Sequence, residues 1–234
     1  MRRLYHYDLG YTLSRAYDRL EVLREAAVDL RYLLDRGYRK ESALKLVGDK
    51  YQLDKSERLV LYRSTYSKNE IKHVKGKMLG SSMITGKDLW IDGFNVLNTV
   101  EAALKGELLI LCDDGVVRDF SQVYGRYRFS QLTLSSLQLI MGELKNLRPS
   151  YVRVFYDSQV SKSGEIAKMT REVISNLELR GDAETTKTVD SVLSKTDAVV
   201  CTSDSVILSA CRYVFDLAGY IITSRIDNAV IFTL

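Results

Sequence analysis

The chain has 234 residues, of which 46% are hydrophobic and 27% charged, so it can fill one large or two small buried cores and is not a low-complexity polymer. The net charge of +4 divides unevenly, because residues 1–78 carry 18 Lys and Arg against 11 Asp and Glu, whereas residues 79–234 carry 16 against 19. A basic segment therefore precedes an acidic one, a division that suits an enzyme acting on nucleic acid with the help of a divalent cation. The apolar runs are strand-sized and the start MRRLYHYDLG lacks a signal-peptide core, so the expectation is a soluble, cytoplasmic protein with no membrane partner. Cys112, Cys201 and Cys211 are an odd number without metal-ligand spacing and read as buried, reduced thiols.

The first segment has a helical period. Leu20, Leu23, Ala27, Leu30 and Leu34 recur at three- and four-residue steps, and Gly37 supplies a stop. A second helix is predicted from Ser42 to Tyr51. Asp54 and Glu57 have capping-box spacing and open a third, with Leu59, Tyr62 and Tyr66 along one face. Residues 1–78 are thus a basic helical domain and a candidate RNA-binding module. Arg39, Lys40, Lys45, Lys55, Arg58 and Arg63 would meet phosphates, and Tyr38, Tyr51 and Tyr62 either stack on bases or pack the core.

Residues 79–87, rich in Gly and Ser, read as a linker, and residues 88–234 as an α/β domain. Strand-like runs are expected at Leu89–Ile91, Leu108–Cys112, Tyr151–Tyr156 and Ala198–Thr202, followed by the late runs RYVFDL, YIITS and AVIFTL. Helices are expected at about Ser130–Leu147, Ser163–Leu179, around Asp190 and from Ser205, with Pro149 as a stop. This alternation predicts a mainly parallel sheet flanked by helices, preceded by a small all-α domain.

Three aspartates directly follow apolar runs: Asp92 in LWIDGFN, Asp157 in YVRVFYDS and Asp204 in AVVCTSDS. Asp190 lies in ETTKTVDSVLSK, where Val189, Val192 and Leu193 can pack inward and leave the carboxylate at the border of the face. Carboxylates gathered at one sheet edge repel one another unless a hard cation sits among them, which predicts a magnesium or manganese site for phosphate-ester chemistry. Asp113, Asp114 and Glu184 are second-rank ligands. The Asn95 amide is placed to orient Asp92 or contact substrate, Lys162 either contacts a phosphate or is a solvated loop residue, and Ser161 or Ser163 is expected to cap the following helix. Ser203 and Asp204 both suit an N-cap, a role compatible with metal binding. His6 and His73 both precede the α/β region, so no serine there has an obvious base.

With I-D-G-F-N at 91–95, V-F-Y-D at 154–157, the segment around Asp190 and C-T-S-D at 201–204, the chain resembles the PIN-like nuclease superfamily, close to its NYN branch. The resemblance covers about residues 88–210. It implies metal binding at Asp92, Asp190 and Asp204, with Asp157 as a fourth site residue, Ser203 at the substrate, and cleavage of RNA. Nearly the whole chain also resembles a mainly archaeal family of uncharacterised proteins that joins a small helical domain to a PIN-like domain. The chain departs from the superfamily pattern in having Asp190 rather than a clear glutamate. A second departure is an insertion-like loop from Gly115 to Phe129, whose Arg118, Arg126 and Arg128 are candidates to clamp RNA or to order a subunit interface.

The leading expectation is a metal-dependent endoribonuclease. The alternatives are a non-catalytic RNA-binding or assembly protein that keeps the fold, and a phosphatase-like hydrolase with Asp92 or Asp157 as nucleophile. The apolar C-terminal strand AVIFTL also suggests a homodimer.

Overall fold

The computed structural model describes residues 19–119 and 131–234. The predicted candidates Arg126 and Arg128, and the predicted helix start at Ser130, lie outside them. Four helices come first: α1 (Leu20–Asp35), α2 (Lys40–Lys50), α3 (Lys55–Ser64) and α4 (Lys68–Lys75). Leu23, Ala27, Leu30 and Leu34 of α1 bury against Ala43, Val47 and Leu61, which is the stripe that the period predicts. The Asp54–Glu57 capping box is present, with Glu57 N–H donating to Asp54 at 2.9 Å and Asp54 N–H to Glu57 at 2.8 Å. The face of α3 is shifted from the expectation. Leu61 and Ser64 are the buried residues of the helix, and Tyr66, itself buried, lies beyond it because Thr65 is already extended. Helix α4 was not predicted, although Ser67 and Glu70 form a second capping box at its start.

The segment read as a linker packs down. Leu79 N–H donates to the Val214 carbonyl at 2.7 Å, and Ile84 is fully buried. The α/β part then runs β1 (Asp88–Asp92), α5 (Gly93–Leu104), β2 (Leu108–Leu111), β3 (Val117–Asp119), α6 (Leu132–Leu147), β4 (Tyr151–Asp157), α7 (Ser163–Asn176), β5 (Gly181–Thr186), α8 (Val189–Leu193), β6 (Val199–Cys201), α9 (Ser205–Ala210), β7 (Tyr213–Val214), α10 (Leu217–Arg225) and β8 (Val230–Phe232). The main sheet has the order β5–β4–β1–β6–β7 with every neighbouring pair parallel. Leu89, Ile91, Val152 and Val154 pack on one side with α5, α6, α7 and α10. Trp90, Phe155 and Val200 pack on the other with α8, α9 and Val74 of α4.

Several expectations need correction. The run Leu108–Cys112 does contain a strand, but it belongs to a separate three-stranded sheet, β3–β2–β8, so Asp113 and Asp114 are not on the main sheet's edge. YIITS lies inside α10, because its apolar residues face the core at helical rather than alternate spacing. The Gly115–Phe129 stretch is not all loop: Val117–Asp119 is β3, and Arg118 within it is buried. The terminal run AVIFTL pairs β8 with β2, and Leu234 packs against the helical core, so the strand offered as a dimer surface is used within the chain. Glu184 lies on β5, an edge strand whose sequence GDAETT carries no strand signal and is held by its six-residue register with β4.

Edge strand β5 is also blunted. Arg171 donates to the Ala183 carbonyl, and Asp182 accepts from Ala183 N–H at 2.7 Å, which occupies the groups another strand would use. All three cysteines are unpaired and buried. No helix among the described residues is long and apolar enough to cross a membrane.

Candidate functional site

From β1 the chain adds β4 and β5 on one side, then crosses back to add β6 and β7 on the other. The order therefore reverses between β1 and β6, and the carboxyl ends of these two strands flank the crevice where ligands bind in open parallel sheets. Asp92 ends β1 and Thr202-Ser203-Asp204 follow β6, so the switch point gathers the I-D-G-F-N and C-T-S-D motifs.

Asp92 is both the last strand residue and the N-cap of α5. Its Oδ1 accepts from Asn95 N–H at 3.3 Å and its Oδ2 from the Thr202 hydroxyl at 3.0 Å. Gly93 is required beside it because a Cβ there would collide with the buried Tyr156 ring. Asn95 acts differently from the expectation. Its backbone N–H orients Asp92, while its side-chain Oδ1 accepts from Ser203 N–H at 2.7 Å and ties the two strand ends together. Thr202 also accepts from Asp204 N–H at 3.1 Å. Asp204 caps α9 through Oδ1 alone, accepting from Val206 N–H at 2.7 Å and Ile207 N–H at 3.2 Å.

Burial, helped by the negative charges of Asp204 and Asp190, pushes the Asp92 carboxyl up to about 7, against the two hydrogen bonds that favour its ionised form. Asp190 stands exposed at the first turn of α8, beside the buried Val189 and Leu193, and its charge adds to the rise at Asp92. Asp157 ends β4 on the same sheet edge, where its Oδ1 accepts from Gln159 N–H at 2.8 Å in a turn. Lys162 is exposed with a left-handed backbone at φ 66° and begins α7 without a side-chain cap, so neither Ser161 nor Ser163 caps that helix. Glu184 is part-way along β5 with Arg153 at 3.9 Å, away from the crevice mouth.

The second-rank acids have structural work. Asp113 takes a bidentate bond from Arg31 of α1 at 2.8 and 2.7 Å and accepts from Tyr66 N–H, while Arg31 also reaches the Leu234 carbonyl. This clamps the helical part to the small sheet. Asp114, 1% exposed, pairs with Arg118 at 2.8 and 2.6 Å, and Arg118 Nε donates to the Ser203 carbonyl at 2.8 Å. Arg118 is thus a brace for the crevice rather than a solvent-facing clamp. Thr202 is the residue whose place at the site the sequence reading missed, although a hydroxyl two residues before an N-capping aspartate was a signal; Arg118 was nominated, but as a clamp for RNA rather than as a buried partner of Asp114.

Among the described residues no three His, Cys, Asp or Glu side chains converge as a ready metal cage. The donor set still fits a magnesium-like ion, which uses one or two carboxylates and keeps several waters. Burial above all, and the charges of Asp204 and Asp190 after it, disfavour the Asp92 carboxylate, which such an ion would offset, and the buried Ser203 Oγ has no hydrogen-bond partner.

A pH dependence follows for the metal-free protein. Asp92 has a folded value near 7 against an ordinary 3.8, so the folded state holds an extra proton across that window. Its contribution to stability is complete below about pH 4 and is lost as the pH rises through about 7. Asp92→Asn is expected to remove on the order of 4 kcal/mol of this loss. Asp216, pushed up to about 6 by burial, leaves a smaller slope of the same sign in the variant. Denaturant titrations in EDTA at both ends of the window test this, and identical slopes in the two proteins would refute it.

The fold and crevice together define a class: a helical module joined to a parallel α/β unit with acidic residues at its switch point. The chain belongs to the family described as "Domain of unknown function (DUF5616)", matched over residues 81–220, and its helical part matches "Protein of unknown function (DUF434)" over residues 22–77. It is 41% identical over 197 residues to an uncharacterized protein of Methanocaldococcus jannaschii, an alignment that covers 83% of this chain and 94% of the other. No solved structure matches it.

Proposed function

We propose that this protein is a cytoplasmic, divalent-metal-dependent ribonuclease that hydrolyses RNA phosphodiester bonds, as the PIN-like and NYN proteins its motifs resemble do. The observation that carries this reading is the meeting of Asp92 and Asp204 at the β1–β6 switch point, where both bond to the Thr202 hydroxyl, with burial and the nearby charges disfavouring an uncompensated Asp92 carboxylate. Asp92 and Asp204 would hold magnesium or manganese, with Asp190 and Asp157 at the rim to bind through water or to orient the attacking water. Such an ion lowers the pKa of a bound water and neutralises charge on the scissile phosphate. Thr202 and Asn95 N–H keep Asp92 aimed into the crevice, and Asn95 Oδ1 and Arg118 hold the Ser203 turn against it. The unpartnered Ser203 hydroxyl is available to a phosphate oxygen, and Lys162 stands on the loop after β4 as an exposed cation.

The absence of a ready three-acid cage among the described residues favours a second reading, a non-catalytic RNA-binding or assembly protein. Labelled structured and single-stranded RNAs incubated with manganese, magnesium or EDTA separate the two. Metal-dependent cleavage by the wild type, absent in Asp92→Asn/Asp204→Asn, is the expected result. RNA binding without cleavage by the wild type would establish the second reading instead.

A further inference from the structure

The cations nominated from sequence as RNA contacts are partly spent on the fold. Arg58 pairs with Asp49 and donates to the Leu53 carbonyl, and Lys40 lies 3.8 Å from the Tyr66 ring centroid, where burial lowers it to about 8. A different basic surface sits where the helical part meets the α/β part. A recess of about 610 Å³ opens between α4 and the turn from α9 to β7, and among the described residues that line it every charged side chain is basic or a histidine.

Two of its walls are fixed. Lys77 Nζ donates to the carbonyls of Ser209 and Cys211, both at 2.9 Å, and His73 Nε2 lies 2.8 Å from the same Ser209 carbonyl. These groups finish the C-terminal end of α9, where cations are favoured, and among the described residues that line the recess there is no carboxylate. Gly76 leaves bare backbone at the lining. Lys72 and Arg212 are the more adaptable cations. Arg212 pairs with Asp197 at 3.1 Å, and the pair is so exposed, at 64% and 90%, that exchanging it for a phosphate costs little. Arg212 also lies 5.2 Å from the ring of Tyr213, which is 37% exposed and offers a face to a base.

We infer that this recess is a phosphate subsite for single-stranded RNA, with Lys72 and Arg212 on the backbone and Tyr213 under a base. The inference rests on the crevice being an RNA site. Asp204 begins α9 and the recess closes its other end, so the two are separated by the helix's rise of roughly 9 Å. The exposed residues between them, Ser205, Val206, Ser209 and Ala210, carry no charge that would repel a strand. The neighbouring aromatic favours a nucleic acid over a phosphorylated peptide, since stacking needs a base.

Binding of a fluorescent single-stranded RNA, measured by anisotropy over a series of salt concentrations, tests the assignment without any cleavage. The full chain is used in the Asp92→Asn/Asp204→Asn background. Lys72→Gln/Arg212→Gln is expected to weaken binding at least about tenfold and to flatten the slope of log K against log salt by about 1.4, the value for two lost phosphates on a single strand. Tyr213→Ala should weaken binding about tenfold with the slope unchanged. Lys145→Gln/Lys168→Gln, exposed on α6 and α7 across the main sheet from the recess, is the control and should leave affinity and slope unchanged. Unchanged affinity and slope in the Lys72/Arg212 variant would overturn the inference, as would displacement of the RNA by a phosphoserine peptide at equal concentration. A wild type that never cleaves, combined with the expected loss of slope, would remove the nuclease reading and keep the subsite.

Discussion

Asp92→Asn is expected to lower metal-dependent RNA cleavage by at least about a hundredfold while the protein becomes more resistant to unfolding at neutral pH. The two effects have one cause. The carboxylate is held where burial and two neighbouring acids disfavour its charge, a perturbation that clusters at functional sites. An amide of the same shape keeps the acceptor for Asn95 N–H, and the Thr202 hydroxyl can rotate to accept from it, so the turn should survive. Loss of one preorganised electrostatic group commonly costs about two to three orders of magnitude in rate. Initial rates with manganese, set beside thermal unfolding of the same samples, read both quantities. A variant that cleaves normally would remove Asp92 from the mechanism, and one that unfolds would make it a structural cap.

Arg118→Met should be the most damaging single substitution in the described part of the chain. Its guanidinium is 3% exposed and spends its donors on Asp114 and the Ser203 carbonyl, so its removal leaves a buried carboxylate without its partner. Such a loss costs about 3–5 kcal/mol, whereas replacing both members by apolar residues of similar size is often neutral. Arg118→Met/Asp114→Leu is therefore expected to recover most of the stability lost by Arg118→Met, as read by urea unfolding. The double variant still lacks the bond to Ser203, so it should remain impaired in cleavage even when folded. Recovery of both stability and rate would show that the brace does not matter to the crevice.

How much of this was legible beforehand differs from element to element. Helix α1 was readable because its leucines repeat at the helical period, and the Asp54–Glu57 box marks the start of α3 in the sequence alone. Strands β1, β4 and β6 were readable because they are buried on both faces and so appear as apolar runs. Strand β5 was invisible, since GDAETT is an exposed edge made a strand by pairing with β4. Helix α5 was hidden because its N-cap is the same Asp92 that ends the preceding strand, which leaves no loop between the elements.

The sequence by itself determined the parallel α/β class, the helical module before it, and the placement of Asp92, Asp157 and Asp204 after strands, because periodicity and strand-end chemistry are local properties. Only the tertiary structure decided which acids share an environment. It placed β6 beside β1 and so brought Asp204 and Thr202 to Asp92, while it put the equally suggestive Asp113 and Asp114 on another sheet, in ion pairs with Arg31 and Arg118. Strand order, and pairings such as Arg31 with Asp113 and Thr202 with Asp92, depend on contacts between residues 82 and 110 positions apart that no local pattern records, whereas Asp114 and Arg118 are only four residues apart and the tertiary structure decided their burial.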